Sequence, residues 1–366
     1  MLFRIYHDQH RLSLHNMFGS ILSLYGIDES EYSVKPFGNG LINHTWKIIS
    51  AGKEFLLQRI NQDVFKSPVD IMDNCSQLAD YFRTNHPDYL FVAPLINFKH
   101  RNYVNDEENN YFRLFPFVKN SYTRNSVSKP RQAYEAAKQF GKFTSLLSRF
   151  NASKLHITLP DFHNLTLRLN QFKSAIQMGN KQRILDCGKS IDFLIKQAVL
   201  AETFEKIKKN PSFVLRVVHH DAKINNILFD IGNDEGLCVI DLDTVMPGYY
   251  ISDVGDMLRT YLSPVSEEES DFSRILIREE YFREIVKGYL GEMQFILSDE
   301  EKQYFVYAGK FAIYMQALRF LTDYLNDDIY YSIKYKDQNL IRASNQIELL
   351  TRFIEKEDRL TEILNS

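Results

Sequence analysis

The residues whose types and spacing are best suited to a chemical reaction lie in the run HHDAKINN, residues 219–226. In this run a carboxylate, Asp221, precedes a carboxamide, Asn226, by five positions. A carboxylate can accept the proton of a neighbouring hydroxyl, and an amide oxygen is a suitable ligand for a hard cation such as Mg²⁺. Phosphoryl transfer needs both groups around one phosphate, and a single short loop can hold them. The spacing predicts Asp221 as a catalytic base and Asn226 as a Mg²⁺ ligand.

A second acidic motif, IDLDT, follows at residues 240–244, where an apolar strand pattern ends. The pattern H-x-D-x-x-x-x-N followed by a strand ending in Asp is the order of the catalytic and metal-binding loops of kinases. We therefore predict Asp241 as a second Mg²⁺ ligand, with ATP as the phosphoryl donor. Asp and Asn are also common in ordinary polar loops, because they bond to local backbone groups. The first motif alone would not decide between the two interpretations, but the ordered pair favours a kinase.

Two other metal chemistries use parts of these motifs. A histidine followed by Asp occurs in metal-dependent phosphohydrolases, but that site needs further histidines, and His156 and His163 stand in unrelated sequence contexts. We therefore expect His219 to be a buried, hydrogen-bonded residue that supports the loop. The DLD of residues 241–243 also matches a glycosyltransferase metal motif, yet nothing upstream resembles a doubly wound nucleotide-sugar domain.

A glycine-containing loop upstream has features suited to a nucleotide. PFGNGLINHTW, residues 36–46, lies between two strand patterns, and its glycines would let backbone amides approach phosphates closely. Taken alone, GNG is equally a hairpin turn. Kinases of this kind usually place a Lys on the third strand, but EFLLQRIN has Gln58 and Arg59 there, so phosphate binding is only partly explained. The predicted nucleotide-binding residues are Gly38, Asn39, Gly40, Gln58, Phe115 and Phe117.

The elements around these motifs predict an α+β fold with two domains. Residues 1–119 have strand patterns at 32–37, 41–50, 54–60, 91–98 and 111–118, and a helical pattern at 68–83. After a polar linker, residues 120–366 are mostly helical, with long patterns at 131–150, 161–178 and 184–209, and from 253 onward. Short strand patterns at 213–218, 225–230 and 237–241 bracket the catalytic motifs. A small antiparallel-sheet lobe and a large helical lobe together predict a two-lobed, protein-kinase-like fold.

Composition narrows the class of partner. The 366 residues carry 44 Lys and Arg against 47 Asp and Glu, so the chain lacks the basic footprint of a nucleic-acid-binding protein. Cys75, Cys187 and Cys238 are far apart and form no CxxC pair, as is typical of a reducing cytoplasm. The N-terminal segment, residues 1–18, predicts an amphipathic helix rather than a secretory signal, and no apolar run is long enough to span a membrane. We expect a cytoplasmic protein whose partners are small molecules.

Four separated runs resemble the aminoglycoside phosphotransferase family of small-molecule kinases, and the resemblance covers nearly the whole chain. They are GLIN with FLLQRIN, LRVVHHDAKINNILFD, VIDLDTVMPG with SDVGDMLR, and ALRFLTDYLNDDIYY. Within the family they are most similar to the branch that phosphorylates N-acetylhexosamines at the anomeric hydroxyl. The resemblance implies transfer of the γ-phosphate of ATP to GlcNAc or GalNAc. It also implies a sugar pocket made of Asp221, Asp241, Thr244, Arg319 and Tyr330.

Several alternatives stay open at this point. Arg319 could equally form a salt bridge with Asp323, one helical turn on. Leu41 stands where the enzymes that the chain resembles carry a histidine, so the substrate preference could differ. In the same loop, His44 stands where a small residue is expected. The acceptor could be another alcohol, such as an amino alcohol, choline or an aminoglycoside. A nucleotide-binding pseudokinase is a third possibility, which the intact Asp221, Asn226 and Asp241 disfavour.

Overall fold

A computed structural model describes residues 18–28, 32–38 and 42–366 of the chain. The N-terminal helix predicted over residues 1–18 lies outside the described residues except for its last residue, Phe18, which is helical together with residues 19–23. Three residues of the glycine loop also lie outside them, namely Asn39, Gly40 and Leu41. The chain divides into two compact units. The first contains the residues up to Ser121 together with Lys154–Leu159, and the second contains Tyr122–Ser153 and Pro160–Ser366.

The first unit is built on a five-stranded antiparallel sheet with the strand order β1-β2-β3-β5-β4. Its strands and its long helix are β1 (Tyr32–Pro36), β2 (His44–Ser50), β3 (Lys53–Arg59), α1 (Pro68–Asn85), β4 (Val104–Asn105) and β5 (Tyr111–Pro116). A tight turn at Ala51 and Gly52, both with positive φ, joins β2 to β3 in register. Such a turn matches the twist of a hairpin, and glycine adopts it without strain.

One face of this sheet carries the apolar core of the first unit. Alternation along the strands places the core residues on one side and polar residues on the other. The core includes Phe18, Ile21, Leu22, Val34, Ile48, Leu57, Phe112 and Leu114. Gln58 and Arg113 lie between these core positions in sequence and therefore on the opposite face, where the two residues are directly paired across β3 and β5.

The prediction of a strand over residues 91–98 was wrong. This segment has no regular secondary structure, although Leu95 donates its N–H to the carbonyl of Leu114, and the fifth strand is instead the short β4. Pro94 removes a backbone donor from the middle of the run, which disfavours a paired strand. An apolar run therefore identified a buried segment but not its conformation.

The second unit is mostly helical, with two small sheets. Its helices are α2 (Pro130–Leu146), α3 (Leu165–Met178), α4 (Lys181–Asp186), α5 (Gly188–Lys196), α6 (Val199–Lys209), α7 (Ile251–Tyr261), α8 (Glu279–Met293), α9 (Asp299–Gln303), α10 (Phe305–Leu325), α11 (Gln338–Glu355) and α12 (Glu357–Leu364). The strands are β6 (Ser121–Tyr122), β7 (Arg216–Val218), β8 (Ile227–Asp230), β9 (Gly236–Val239) and β10 (Met246–Gly248). One sheet has the order β6-β8-β9, and β10 pairs antiparallel with β7. The single helix predicted over 184–209 is divided into separate helices.

Helix α10 is the centre of the second unit. It is apolar on nearly all sides and buried along most of its length, as a helix surrounded by others must be. Helices α3, α7 and α11 pack against it. Gly255 of α7 allows one close approach, because a Cβ at this position would lie 2.4 Å from the carbonyl oxygen of Ala308. This contact fixes α7, and with it Asp253 and Asp256, relative to the centre of the unit.

None of the described helices is long and apolar enough to cross a membrane.

Candidate active site

The catalytic motif forms the connection between β7 and β8, and a buried carboxylate from α7 holds its start. Asp253 is fully buried and accepts the backbone N–H of His219 at 2.9 Å and that of His220 at 2.7 Å. Burial raises the pKa of Asp253 to about 6, against the opposing effect of the neighbouring His219 and the two backbone donors. His220 has a positive φ of 66°, which is uncommon outside glycine and recurs at functional sites.

His219 has the supporting role that the sequence predicted. It is fully buried, and its Nε2 atom lies 2.9 Å from the carbonyl oxygen of Ile240, at the end of β9. Its own carbonyl accepts the hydroxyl of Thr244 at 2.7 Å. The backbone N–H of Ile240 in turn donates to the carbonyl of Asn226 at 2.9 Å. These contacts join the two acidic motifs into one structure.

Asp221, Lys223 and Asn226 come together after this start. The side chain of Asn226 donates from Nδ2 to the carbonyl of Asp221 at 2.8 Å and to its carboxylate at 3.0 Å. The other carboxylate oxygen, Oδ1, lies 3.1 Å from the ammonium nitrogen of Lys223. Tyr261 supports the same turn from α7, because its hydroxyl donates to the carbonyl of Ala222 at 2.7 Å. Asp221 is thus oriented by two separate donors.

Lys223 is a functional candidate that the sequence reasoning missed. Burial alone would lower its pKa, but the carboxylates of Asp221, Asp256 and Asp241 outweigh burial and raise the pKa above its usual value. Lys223 therefore stays charged beside the predicted base, while 41% of its side chain remains accessible. The sequence does contain a pattern that could have indicated Lys223, because D-x-K within the loop places a cation two residues after the carboxylate. Such a cation can stabilise a phosphoryl group in transfer.

The predicted metal ligands fit a Mg²⁺ ion by their chemistry. Because both contacts of Asn226 with Asp221 use its Nδ2 atom, its amide oxygen is turned away from Asp221. Asp241 follows β9 in a left-handed conformation with φ of 62°, directly after the Ile240 that is bonded to Asn226. Among the described residues, no three His, Cys, Asp or Glu side chains are grouped as a metal site. Mg²⁺ in phosphoryl-transfer sites is bound through one or two protein oxygens plus phosphate, and the oxygens of Asn226 and Asp241 are of that kind.

His163, which stands in an unrelated sequence context, lies beside the predicted catalytic motif in the structure. Its ring contacts the ring of His220, with the two Nδ1 atoms 3.3 Å apart. Burial lowers the pKa of His220 to about 4. Burial, followed by the positive charges of His220 and Arg319, lowers the pKa of His163 well below its usual value. The two rings, of which His220 is buried and His163 half-buried, are therefore both neutral near pH 7. Two histidines 57 positions apart in sequence leave no local pattern that could predict this contact.

The first unit contains the predicted nucleotide-binding residues that the structure describes. Gly38 has a positive φ of 76°, and open space surrounds the position of a Cβ there. Phe115 lies beside the guanidinium of Arg113, and Phe117 is covered by the ammonium of Lys47, which is 3.8 Å from its ring centre. His44, where a small residue was expected, is exposed.

Gln58 occupies the strand position where a phosphate-binding Lys was expected, and it is paired with an arginine. Its amide oxygen accepts from Nε of Arg113 at 2.9 Å and from Nη2 at 2.5 Å. Its amide nitrogen donates to the hydroxyl of Thr45 at 3.1 Å. Arg113 is only 1% exposed, so its charge is not displayed on the surface. A neutral amide with a fixed orientation therefore takes the place of the expected cation.

The predicted sugar-binding residues fall into two groups. Arg319 and Tyr330 line one cavity of about 920 Å³ in the second unit. The salt bridge considered between Arg319 and Asp323 does not form, because Asp323 instead accepts the backbone N–H groups of Tyr330 at 2.7 Å and Tyr331 at 2.9 Å. Thr244 is buried in the second acidic motif, and its hydroxyl donates to the carbonyl of His219. Asp221, Asp241 and Thr244 are not among the residues lining the cavity.

Comparisons with known proteins indicate the family and the fold of the chain. A sequence model of the APH phosphotransferase enzyme family matches residues 33–289, well over half of the chain. The structure of a microcompartment-associated aminopropanol kinase superposes on 94% of this chain and 98% of its own, with a TM-score of 0.66 and 14% identity. A choline kinase from Cryptosporidium parvum Iowa II superposes with a TM-score of 0.55 and 16% identity, over 93% of this chain and 94% of its own.

Spectinomycin phosphotransferase, solved in complex with ADP and spectinomycin, also superposes with a TM-score of 0.55 and 15% identity, over 96% of this chain and 97% of its own. At such identities a structural likeness supports the fold alone. The antiparallel sheet of the first unit and the helical second unit are those of the kinase-like fold that was predicted. Together with the long sequence match, this shows that the chain belongs to the APH phosphotransferase enzyme family.

Proposed function

We propose that the chain is an ATP- and Mg²⁺-dependent small-molecule kinase that phosphorylates the anomeric hydroxyl of an N-acetylhexosamine. The observation that carries the kinase activity is the arrangement of Asp221 between Asn226 and Lys223. In the reaction the acceptor hydroxyl attacks the γ-phosphorus of ATP, and the bond to the β,γ-bridging oxygen breaks. ADP leaves, and the hydroxyl proton passes to Asp221.

The residues around Asp221 have complementary tasks. Asn226 fixes the direction of the carboxylate, so that Asp221 can orient the hydroxyl before transfer. Lys223 supplies a fixed positive charge for the oxygens of the transferred group. The amide oxygen of Asn226 and the carboxylate of Asp241 would hold Mg²⁺, which when bound neutralises phosphate charge. The intact set disfavours a pseudokinase.

In this proposal residues 1–119 supply the nucleotide site and residues 120–366 supply the catalytic residues and the acceptor site. The glycine loop at Gly38, Asn39 and Gly40 would contact the phosphates through backbone amides. Gln58 would offer an amide group whose direction Arg113 and Thr45 determine. Phe115 and Phe117 would contact the base. We further propose that the enzyme acts in the cytoplasm, on soluble sugars.

The hexosamine assignment rests on the sequence runs that resemble N-acetylhexosamine 1-kinase, and two features support it. Arg319 and Tyr330, the sugar-pocket positions in the C-terminal helices, lie on one cavity in the second unit. Thr244 and Asp241 lie next to the catalytic loop. The second candidate is a cationic acceptor. Its support is that the superposing structures are named for kinases of aminopropanol, choline and spectinomycin.

A panel of acceptors would test the proposal. ATP consumption should be fastest with GlcNAc or GalNAc and slower with choline, aminopropanol and spectinomycin. The ³¹P nucleus of the product should couple to the anomeric proton. Coupling to the C6 protons, or no product from any hexosamine at millimolar concentration, would reject the sugar 1-kinase assignment in favour of another acceptor. Turnover of none of the acceptors would point to the pseudokinase.

A further inference from the structure

The cavity in the second unit contains two arginines that form no ion pair with a carboxylate among the described residues. Arg168 projects from α3 and Arg319 from α10, and both are half-buried in the lining. Arg168 donates to the amide oxygen of Gln171 at 3.0 Å and to the carbonyl of Asp161 at 3.1 Å. Arg319 donates to the amide oxygen of Gln316 at 3.2 Å. All three acceptors are neutral oxygens.

Aromatic rings lie near the guanidinium group of Arg319, and one nitrogen of Arg168 has no hydrogen-bond acceptor among the described residues. The guanidinium of Arg319 lies 5.7 Å from the ring centre of Phe162 and 5.5 Å from that of Tyr331. The Nε atom of Arg168 is buried and has no hydrogen-bond partner among the described residues. Buried donors normally have partners, so this one points to an acceptor supplied by a ligand.

The carboxylates that line the same cavity are committed elsewhere. Asp323 accepts three N–H groups, from the backbones of Tyr330 and Tyr331 and from the side chain of Asn339. Asp327 accepts from Asn180 at 2.8 Å and lies 3.6 Å from Nε of Arg183. Both acids stabilise the segment that follows α10, and neither forms an ion pair with the two lining arginines.

The positive charges of these arginines affect the pKa values of neighbouring groups. Burial lowers the pKa of Arg168, and the charge of Arg319 lowers it further, against the opposing effects of Tyr330, Tyr331 and Asp161. His163, which contacts the catalytic motif through His220, is exposed to the charges of Arg319, Arg259 and Arg168 as well. Arg259 is neutralised by Asp256 and Glu267. Arg168 and Arg319 form no such ion pair among the described residues.

We infer that Arg168 and Arg319 bind an anionic group of the acceptor, so that the preferred substrate is a negatively charged sugar rather than a neutral or cationic one. This rests on the proposed function, because it specifies the acceptor of the same kinase. Two guanidinium groups match the oxygens of a carboxylate or a phosphate, through charge-assisted and bidentate hydrogen bonds. Cationic alcohols such as choline would meet two like charges in a partly desolvated cavity.

The cavity also defines the size and shape of this acceptor. A volume of about 920 Å³ exceeds that of one hexose. Met178, Ile329 and Tyr330 are strongly exposed and apolar parts of its lining. An aromatic ring and aliphatic side chains can pack against the face of a sugar ring. The acceptor class is therefore an N-acetylhexosamine that carries a carboxylate or phosphate away from C1, for example at C6, so that the anomeric hydroxyl stays free.

The test compares matched acceptors in the full-length protein. These are GlcNAc, its C6 carboxylate, its 6-phosphate, cationic glucosamine, and glycerate as an anion without the sugar frame. We expect kcat/KM to be at least about tenfold higher for an anionic hexosamine than for GlcNAc, the scale of one charge-assisted contact. The carboxylate and phosphate acceptors separate the two anion types. Calorimetric binding without ATP gives a second readout that is independent of turnover.

Variants assign the effect to the two arginines. Arg168→Gln and Arg319→Gln should each reduce the preference for the anion at least about tenfold, in kcat/KM and in binding, whereas Arg168→Lys should keep part of it. The control is Arg352→Gln, because Arg352 lies on α11 and pairs with Glu348 and Glu355. Equal use of GlcNAc and its anionic derivatives, unchanged by Arg168→Gln, would overturn the inference and leave the hexosamine kinase intact. Phosphorylation of glycerate but of no hexosamine would instead reject the hexosamine assignment and support the anion site.

Discussion

The catalytic motif and the cavity lined by Arg168 and Arg319 lie in the same unit but differ in how their charged groups are partnered. Around the motif, Asp253 accepts two backbone N–H groups, and Asp221 is bonded to Asn226 and Lys223. In the cavity, the hydrogen bonds that the two guanidinium groups form among the described residues all go to neutral oxygens, and aromatic rings lie near Arg319. The charged groups of the motif have partners within the protein, whereas the two arginines of the cavity would gain a charged partner only from a ligand.

This difference has a physical explanation. Catalytic groups must be held in fixed positions before the substrate arrives, and internal hydrogen bonds fix them at no cost during the reaction. A recognition site discriminates better between ligands if its hydrogen-bond donors are satisfied only when the correct ligand binds, because a wrong ligand then leaves buried donors unpaired. We therefore expect mutations in the two regions to separate stability from specificity.

The largest expected effect is on turnover at the motif. Asp221→Asn keeps the shape of the side chain but removes the base, so turnover should fall by a factor of about a hundred or more. ATP binding and the thermal unfolding midpoint should change little. The matched control is Asp230→Asn at the end of β8, where the carboxylate accepts the backbone N–H groups of Gly232 and Asn233. Near wild-type turnover in Asp221→Asn would remove this residue from the catalytic role.

The next effect is on stability, and it compares the two regions directly. Asp253→Asn can satisfy only one of the two backbone donors and should lower the free energy of unfolding by about 1–3 kcal/mol, measured by urea denaturation near pH 7.5. Arg168→Gln breaks no ion pair and removes repulsion with Arg319, so it should change stability by less than about 0.5 kcal/mol. A large loss in Arg168→Gln and none in Asp253→Asn would contradict the comparison.

The sequence predicted the motif better than the cavity because the groups of the motif are close in the chain. Asp221 and Asn226 lie on one loop, and the spacing of Asp241 follows from a short hairpin. Even here Lys223 was missed, and no local pattern indicated that Asp253 supports a loop more than thirty residues earlier in the chain. Helical periodicity predicted the α3 region well, although it joined α4, α5 and α6 into one helix.

The cavity depends on contacts that sequence patterns do not encode. Its wall after α10 turns through Asp327 and Asp328, both with positive φ near 60°, and ends on Tyr330, whose N–H is held by Asp323. A helical spacing of four residues allowed a salt bridge between Arg319 and Asp323 as an alternative, but the backbone donors compete for that carboxylate. In the first unit, likewise, the pairing of Gln58 with Arg113 depends on strand register. Non-local hydrogen bonds decided each of these outcomes.

The smallest expected effect concerns the histidine pair that lies between the two regions. In the folded protein burial and nearby positive charges keep His163 neutral, because they lower its pKa well below the usual value. An unfolded chain binds a proton on this residue near pH 6.5, so below that pH the unfolded state carries more protons than the folded state. The free energy of unfolding must then fall as the pH falls. His220, with its pKa lowered to about 4, acts in the same sense down to that pH.

His163→Gln should remove one of these two contributions. Between pH 6 and pH 5 the free energy of unfolding should fall less steeply than in the wild type, by up to about 1.4 kcal/mol per pH unit. Asp253, with a pKa raised to about 6, acts in the opposite sense in this range, but it is present in both proteins and cancels in the difference. Urea denaturation at several pH values measures both slopes, and the exposed His44, changed to Gln, is the control. Identical slopes in His163→Gln and the wild type would mean that His163 binds a proton in the folded state. The positive charge of the cavity would then not extend to the catalytic motif, and the two regions would be electrostatically separate.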